Sequence, residues 1–348
     1  VNTDELSDYK SKDISPMHIG QLRQDYYKEV PEFRNLTNKS IGVNGLGVLR
    51  MDIDNLGMIF KNGFDKKYQT ISRFSVLSRS LNVFFKHYIH SIIEANNEDN
   101  LFFKHNRLKK EEPSVMIVYS GGDDLYMTGA WDDVLEYAYR IRDAFSKYTC
   151  QNPSVTLSAG YVIVPPAYPV NVFSELSEEQ EKIAKQNDNG NGKTKNSIAV
   201  WGKAYFWDDL KEYTHRIIGE FGELEYQLRD SSLDIKGFGH TLFYQLISEM
   251  DTYIEKYYSA MENEEGKKEE FYYIYPSLAY RLGRHHRGLS KEIKSNSFYQ
   301  TAYQSVMDRL LDMSGGLQSS VERAEKNLTV YRFLEYMHRK KTKEEING

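Results

Sequence analysis

Residues 49–55 read LRMDIDN and residues 119–125 read YSGGDDL, and these two stretches decide the fold. Each places aspartates at or beside the end of an apolar run of the kind that forms a buried strand. The chain between Asp52 and Asp123 is long enough for one helix and one return strand, so the two strands can lie side by side. Three or four carboxylates would then lie within a few ångströms of one another.

Such a carboxylate cluster predicts a metal site. Packed carboxylates repel one another and raise each other's pKa unless a cation lies between them. Mg²⁺ prefers oxygen ligands, usually one or two carboxylates together with substrate phosphates. An Asp-rich hairpin turn would be unremarkable by itself, because Gly and Asp are ordinary turn residues. The matching acidic strand at Asp52 and Asp54 is what favours a metal-dependent site for nucleotidyl transfer.

Outward from these stretches, the pattern predicts the element order β-α-β-β-α-β. This order is the ferredoxin-like split βαβ arrangement, an α+β fold of the palm or nucleotide-cyclase type in which helices cover one face of an antiparallel sheet. The six elements of this order are a strand at 45–53, a helix at 70–93, strands at 115–119 and 125–129, a helix at 131–148 and a strand at 155–164. A helix at 173–185 and a last strand at 197–201 are predicted to follow.

Beyond about Lys203 the pattern predicts helices only, and this half is expected to form an all-α helical bundle. Its predicted helices lie at 207–219, 240–261, 273–284, 297–313 and 319–339. The chain therefore divides into a connector at 1–40, with a short helix at 19–27, a palm domain at 41–205 and a C-terminal helical domain at 206–348.

Composition favours a globular protein of the cytoplasm. The 348 residues are 40% hydrophobic and 27% charged, with a net charge of −5, so the chain as a whole does not attract polyanions. No apolar run approaches the roughly 20 residues of a membrane span, and the acidic start is unlike a signal peptide. The single cysteine, Cys150, excludes an internal disulfide and a multi-cysteine zinc site.

Two glycine-containing turns are candidates for nucleotide contacts. Gly121 and Gly122 permit the positive φ of a tight hairpin, and without side chains they let phosphates or ribose approach the backbone. Asn55, Leu56 and Gly57 follow the first strand, where the N–H groups of a helical turn can hold a triphosphate. A plain strand-to-helix turn explains the second stretch almost as well.

Basic residues near the predicted sheet end are further candidates. Lys182, Lys185, Lys193 and Lys195 lie upstream of the last strand and can neutralise phosphate charge, although a solvated lysine loop is an equal alternative. Ser72 and Arg73 lie at the start of the first long helix. There, a contact with a base or ribose and a helix-capping role are equally compatible with the sequence.

The densest basic cluster of the helical half contains Arg281, Arg284 and Arg287. It can grip an RNA phosphate backbone or a partner subunit. The alternative is a basic helix C-terminus that complements the helix dipole.

The motifs together resemble the large subunit of type III-A CRISPR effector complexes, specifically its second palm and the helical domain that follows. The resemblance covers about residues 41–348 and is most specific within 47–203. It rests on residues 51–57 (MDIDNLG), 72–73 (SR), 77–79 (LSR), 121–125 (GGDDL) and 158–160 (SAG).

This resemblance implies an ATP-dependent cyclic oligoadenylate synthetase, which joins ATP 3′ to 5′ into ring-shaped second messengers for antiviral defence. Carried over by position, Asp52, Asp123 and Asp124 are the catalytic carboxylates. They hold Mg²⁺ or Mn²⁺ together with the carbonyl of Ile53. Asp54 is a weaker candidate for nucleotide binding.

The resemblance also selects Lys185 and Lys193 as the lysines expected to contact nucleotide. Its implied partners are the other CRISPR effector subunits, and guide RNA paired to target RNA through the complex. Family members usually carry an N-terminal nuclease domain and a first palm, with ATP between the two palms. The chain is therefore expected to work with a missing N-terminal half or with a second copy.

Three alternatives remain open from the sequence. A related dinucleotide cyclase would use GTP, although Asp124-Leu125 stands where that group has Glu-Phe. A non-catalytic scaffold would bind RNA and subunits only, but degenerate palms typically lose the aspartates that are kept here. A template-directed polymerase would need finger and thumb elements that the sequence does not show.

Overall fold

The structure is a computed structural model in which residues 32–94, 113–188, 190, 192, 194–212, 214, 240–262, 274–312 and 317–339 are described. The helix predicted at 19–27 and the candidate ligand Lys193 lie outside these residues. Of the helix predicted at 207–219, residues 207–212 and 214 are described, and they are helical.

Six strands form one sheet in the order β2-β3-β1-β4-β5-β6. The strands are β1 Leu46–Ile53, β2 Val115–Gly121, β3 Asp124–Ala130, β4 Leu157–Val164, β5 Ser197–Val200 and β6 Lys203–Phe206. The central strand β1 pairs antiparallel with both β3 and β4, whereas β4 and β5 are parallel. The first four strands have the ferredoxin-like order, so the predicted α+β palm fold is confirmed.

Most helices lie where the periodicity of the sequence predicts them. In the first half they are α1 Phe33–Thr37, α2 Leu56–Asn62, α3 Ile71–Val83, α4 Ile89–Glu94, α5 Trp131–Tyr148 and α6 Val170–Lys185. In the second half they are α7 His240–Glu262, α8 Ile274–Gly288, α9 Lys291–Ser295, α10 Ser297–Asp312 and α11 Leu317–His338. A π-helical turn, Phe84–Tyr88, joins α3 to α4.

The two faces of β1 contact different helices, because side chains alternate along a strand. Leu49 and Met51 belong to the main hydrophobic core with α3 and α5. Val48, on the opposite face, packs with Phe173 of α6. Helix α6 therefore covers the second face of the sheet, where the simplest ferredoxin-like arrangement has no helix.

Helix α6 lies unusually close to β4 at Gly160. A Cβ added to Gly160 would lie 2.1 Å from the carbonyl oxygen of Ser177 and 2.3 Å from the amide nitrogen of Glu181. With contacts this short, any side chain at position 160 would force the α6 backbone to shift. The glycine therefore sets the distance between helix and sheet, and with it the position of every side chain that α6 directs toward the end of β1.

The expectation of helices only beyond about Lys203 is wrong, because β6 pairs antiparallel with β5. Trp201 and Gly202 connect these strands with φ of 50° and 79°. A two-residue hairpin with positive φ at both positions has the type I′ form, which usually selects Asn-Gly or Asp-Gly. Trp-Gly is not that signature, so the hairpin was not recognisable from the sequence.

The end of the predicted connector is attached to the sheet. The Ser114 hydroxyl donates to the Leu36 carbonyl oxygen at 2.8 Å, and Phe33 of α1 meets Phe173 edge to face with ring centroids 5.9 Å apart. Residues 33–37 thus form a short packed helix, not a simple linker.

Helix α11 connects the second half to the palm through aromatic side chains. Phe333 lies 6.1 Å from Trp131 and 4.8 Å from Trp201, measured between ring centroids. The amide of Val43 donates to the carbonyl oxygen of Tyr336 at 3.0 Å. One continuous core therefore spans both halves, and the division at 205/206 stays a prediction. Among the described residues, no helix combines the length and apolar character needed to cross a bilayer.

Candidate active site

The predicted carboxylates come together at the end of β1. Asp52 lies directly opposite Asp124 in the antiparallel pairing of β1 with β3, and opposite Ser158 in the pairing with β4. Asp123 precedes Asp124 at the hairpin turn. Carboxylate oxygens of Asp52, Asp123 and Asp124 all lie within 4.8 Å of one another. We call these three side chains the carboxylate cluster.

Local geometry holds the hairpin turn in place. Gly122 has a φ of 70°, which glycine adopts without strain, and a Cβ added there would meet no atom within 4 Å. The amide of Gly122 donates to the side-chain oxygen of Asn82 at 3.3 Å. The hydroxyl of Ser120 donates to the carbonyl oxygen of Phe85 at 2.5 Å. Helix α3 and the π-helical turn thus fix the hairpin while the space above Gly122 stays open.

Burial, together with electrostatic repulsion within the cluster, raises the pKa values of Asp123 and Asp124. Burial and the neighbouring charge of Asp52 raise the pKa of Asp123 above its ordinary value. Burial, Asp52, Asp123 and Glu181 raise the pKa of Asp124 to about 6. Raised carboxyl pKa values are the expected result of burial combined with neighbouring negative charge.

The cluster fits a hard dication. Besides the three converging carboxylates, the Oδ1 atom of Asp52 is buried and accepts no hydrogen bond. A buried carboxylate oxygen without a partner is unfavourable unless a cation or a donor reaches it. Oxygen-only donor sets of this kind suit Mg²⁺ or Mn²⁺. Ile53 ends β1 beside the cluster, and its carbonyl stays a predicted ligand.

Lys185, a predicted nucleotide contact, reaches the cluster from the end of α6. Its ammonium forms an ion pair with Asp52 and a second one, 2.7 Å long, with Glu181. Burial lowers the pKa of Lys185, but its hydrogen bonds to Asp52 and Glu181 outweigh burial and raise the pKa. The guanidinium of Arg50 contacts Glu181 at 2.8 Å. Side chains of alternating charge therefore contact one another in sequence along this face, in the order Arg50, Glu181, Lys185 and Asp52.

Asp54 does not join the cluster. It is completely buried, and its Oδ2 atom accepts hydrogen bonds from the Thr156 hydroxyl at 2.7 Å and from the Asn196 amide at 3.0 Å. Residues two apart on a strand share a face, but β1 ends at Ile53 and Asp54 already belongs to the turn that follows, which directs it inward. A direct contact of Asp54 with nucleotide conflicts with this burial, and its role here is to connect β4 with the loop before β5.

The turn after β1 has the predicted helical form. Leu56 and Gly57 begin α2, and Asn55 precedes them with a φ of 57°. The Lys195 ammonium donates to the Asn55 side-chain oxygen at 2.6 Å. The loop before β5 therefore touches this turn. Nucleotide contacts by residues 55–57 stay a prediction, as does one by Lys193.

Ser72 and Arg73 occupy the first turn of α3. The Arg73 amide donates to the Thr70 hydroxyl at 3.4 Å, and the Arg73 guanidinium lies 4.4 Å from the ring centroid of Tyr68. The capping role that was one of two alternatives thus belongs to Thr70. A nucleotide contact by Ser72 or Arg73 stays a prediction.

The candidate RNA- or partner-binding arginines lie on α8. Arg281 forms an ion pair with Glu249 of α7, and the Arg287 guanidinium lies 5.9 Å from the ring centroid of Tyr280. Arg284 is exposed. The ion pair provides a structural role for Arg281, and binding of RNA or partners by these three residues stays a prediction.

Sequence reasoning missed three residues of this region, namely Arg50, Glu181 and Asn82. The signals for the first two were present. Arg50 and Asp52 are two residues apart on a strand and therefore share a face, and Glu181 and Lys185 are four apart on a helix. Nothing local indicated that α6 would cover that face. Asn82 is one polar residue of an amphipathic helix, and the sequence carried no signal for it.

The sheet order and the acidic hairpin define a palm-type domain. Residues 45–199 match the family model of the Cas10/Cmr2 second palm domain. The resemblance to the large subunit of type III-A CRISPR complexes is thereby confirmed.

Related proteins and solved structures are similar to this chain. The single-strand-specific deoxyribonuclease Cas10/Csm1 (subtype III-A) of Methanocaldococcus jannaschii is 36% identical over 224 residues, which cover 59% of this chain and 27% of the relative. The crystal structure of Csm1 from Thermococcus onnurineus matches with a TM-score of 0.58 at 25% identity, covering 89% of this chain and 40% of that one. A Csm1–Csm4 cassette in complex with cA4 has a TM-score of 0.58 at 22% identity, covering 89% and 39%.

These relatives are much longer than the matched region. The chain spans about a quarter of the curated Cas10/Csm1 protein and two fifths of the solved Csm1 chain. The activities and partners named for the whole relatives therefore describe those longer proteins, and for this chain they are proposals.

Proposed function

We propose that this chain is the second palm and following helical region of a Cas10-type subunit, and that it synthesises cyclic oligoadenylate from ATP. The observation that supports this proposal most is the carboxylate cluster, in which Asp52, Asp123 and Asp124 converge within 4.8 Å at an open hairpin turn. Holding repelling carboxylates together lowers the stability of the fold, and a bound cation would offset that cost.

The protein's own residues would act mainly by charge and position. Asp52, Asp123 and Asp124 would hold Mg²⁺ or Mn²⁺, which when bound lowers the pKa of a ribose hydroxyl and neutralises developing phosphate charge. The open space above Gly122 admits phosphates or ribose close to the backbone. Lys185 adds positive charge at the same edge. No side chain then needs to be a strong general base, because positioning supplies much of the acceleration.

The choice of ATP and of a cyclic product is supported by the solved relatives. Csm1–Csm4 cassettes with the same fold were solved with cA4, with pppApApA and with AMPPNP. By extension, the partners proposed for this chain are other CRISPR effector subunits, including one of the Csm4 kind, and guide RNA with target RNA. A first palm or a second copy would complete the ATP site.

The experiment is incubation of the full chain with Mn²⁺ and either ATP or GTP, followed by chromatography of the products. ATP is expected to yield linear and cyclic oligoadenylates. Asp123→Asn combined with Asp124→Asn should lower turnover by about 10³-fold or more, because both substitutions remove charge at the reacting phosphates. The matched control is Asp208→Asn, which changes an exposed aspartate paired with Arg142 outside the cluster.

The alternatives predict different results. A product ladder from GTP alone would replace the ATP assignment with a dinucleotide cyclase. If Mn²⁺-dependent ATP binding and turnover are the same in the double variant and in Asp208→Asn, the palm is a scaffold. Calorimetric titration of Mn²⁺ and ATP provides the binding measurement.

A further inference from the structure

We propose that Lys185 is the internal counter-cation of the metal-free carboxylate cluster, and that it leaves Asp52 for Glu181 when a dication binds. The dication would then replace the Lys185 ammonium at Asp52, while the ammonium stays at the edge of the cluster beside Glu181. This inference rests on the proposed function in one respect, namely that the cluster binds a dication.

The contacts of Lys185 place its ammonium between two elements. It pairs with Asp52 at the end of β1 and, at 2.7 Å, with Glu181 one turn earlier on its own helix. The side chains of Lys185 and Asp52 are 27% and 15% exposed. An ion pair that is largely shielded from water is screened less than a surface pair, so this contact affects what else binds Asp52.

Glu181 is held in place independently of Lys185. Arg50 contacts Glu181 at 2.8 Å from β1 and also contacts Glu178 at 3.5 Å. The Glu181 backbone is fixed as well, since its amide lies where a side chain at Gly160 would be. Glu181 is therefore a positioning residue that offers the ammonium a prepared second site.

Charge balance gives the exchange its direction. Asp52, Asp123, Asp124 and Glu181 present four carboxylates, while Lys185 is the cation in contact with Asp52. The ammonium reduces their repulsion when no metal is bound. A dication and an ammonium on the same carboxylate repel each other, so Lys185 must weaken dication binding until it releases Asp52. Since the Glu181 contact already exists, release requires only a small movement.

The test is a titration of the nucleotide-free full chain with Mn²⁺. The electron paramagnetic resonance signal of unbound Mn²⁺ measures how much metal has bound at each step. Lys185→Met keeps a long side chain and removes the charge. It should bind Mn²⁺ about tenfold more tightly than the wild type, since a competing cation is gone. The matched control is Lys182→Met, whose lysine is 65% exposed and pairs with Glu178 at 2.7 Å. It should bind Mn²⁺ like the wild type.

A thermal measurement gives a second readout without activity. In chelator, Lys185→Met should unfold at a lower temperature than the wild type, because the cluster has lost its counter-charge. Saturating Mn²⁺ should then raise its Tm by more than it raises that of the wild type or of Lys182→Met. Lys185→Gln repeats both measurements with a side chain that still forms hydrogen bonds.

Glu181→Gln tests the prepared second site. It should weaken Mn²⁺ binding in the wild-type background, because the ammonium loses its alternative partner and a nearby negative charge disappears. In the Lys185→Met background the effect should be clearly smaller, since only the lost charge remains. Equal effects in both backgrounds would overturn the role assigned to Glu181.

The Mn²⁺ titrations distinguish loss of the lysine exchange from loss of the metal site itself. If Mn²⁺ binding depends on Asp123 and Asp124 but is unchanged or weaker in Lys185→Met and Lys185→Gln, the exchange is overturned and the metal site stands. If Mn²⁺ binding is insensitive to Asp123→Asn with Asp124→Asn, the metal site is wrong and the exchange falls with it.

Discussion

The two ends of β1 are built in opposite ways. At its start, Trp131 is completely buried and stacks on Phe333, its indole N–H donates to the Ile41 carbonyl oxygen at 3.0 Å, and the Tyr161 hydroxyl donates to its carbonyl oxygen at 2.6 Å. At the other end, Asp52 faces Asp124 and carries a buried oxygen that accepts no hydrogen bond. One end is apolar with its donors satisfied, and the other concentrates like charge.

This difference separates stability from chemistry along one strand. Apolar burial and satisfied hydrogen bonds favour the folded state. A cluster of carboxylates with raised pKa values disfavours it, and such groups concentrate where a protein binds or reacts. Substitutions at the two ends of β1 should therefore have opposite effects on stability.

The largest expected effect is at the aromatic end. Phe333→Ala removes a fully buried ring between Trp131 and Trp201, and should lower the free energy of unfolding by about 3–5 kcal/mol. Urea denaturation of the metal-free chain measures it. Tyr244→Ala, which truncates a ring that is 62% exposed on α7, serves as the control. Asp123→Asn with Asp124→Asn should leave the metal-free stability unchanged or raise it, and a loss as large as that of Phe333→Ala would break the contrast.

The next effect concerns α6, which packs along β1 between Phe173, beside Val48, and Lys185, beside Asp52. Gly160→Ala forces a Cβ against the α6 backbone at 2.1 Å and should cost about 2–3 kcal/mol. It should also move Lys185 away from Asp52. Gly283→Ala, a helical glycine on α8 with no atom within 4 Å of the added Cβ, is the control and should be neutral or slightly stabilising. Similar unfolding midpoints in denaturant for the two variants would show that α6 is not tightly placed.

A smaller effect is expected where β6 meets α11. The Tyr205 hydroxyl lies 2.7 Å from the Thr329 hydroxyl and donates to the Glu325 carbonyl oxygen at 3.1 Å, in a buried position. Tyr205→Phe should cost about 1–2 kcal/mol, because it leaves buried partners unsatisfied. Tyr258→Phe removes the hydrogen bond of an exposed hydroxyl to the Glu325 side chain and should cost less. Equal losses in denaturant unfolding would contradict the importance of burial at this contact.

The smallest effect is a pH dependence at the acidic end. The folded chain raises the pKa of Asp124 to about 6, from an ordinary value of 3.8. A carboxyl group with a raised pKa favours the folded state while it is protonated. That contribution is complete below about pH 4 and is lost as the pH rises through about 6.

Thermal unfolding in chelator measures this dependence. The Tm of the wild type minus that of Asp124→Asn should fall by about 2 °C between pH 4 and pH 7. The effect is small because Asp124 is partly solvated, which weakens its interactions. A difference that rises with pH would mean that Asp124 has a stabilising partner in the metal-free protein.

Much of this architecture was predictable because its signals are local. The apolar run of residues 46–51, the glycine turn at 121–122 and the helical periodicity of 131–148 each indicate their element directly, and the chain order then selects the ferredoxin-like topology. The meeting of Asp52 with Asp124 follows from that topology. The β5–β6 hairpin was not predictable, because positive φ at Trp201 depends on its packing against Phe333 and Tyr336.

The surroundings of the carboxylate cluster were only partly predictable. Lys185 was selected through the family resemblance, whereas its partner Glu181 was missed because the covering of the second sheet face by α6 is a tertiary property. Asp54 shows the converse error. Its spacing from Asp52 suggested a shared role, but the chain leaves β1 after Ile53 and the turn directs Asp54 into the interior, where it accepts hydrogen bonds from Thr156 and Asn196.

The alternation of β1 has a consequence for folding accuracy. A slip of this strand by a single residue would exchange its two faces, so that Met51 would leave the core and Asp52 would enter it. Hydrophobic energy thus penalises every slip by an odd number of residues, and each of these would also separate Asp52 from Asp124. A chain that has reached its most stable packing has, by that fact alone, also aligned the groups on which its chemistry depends.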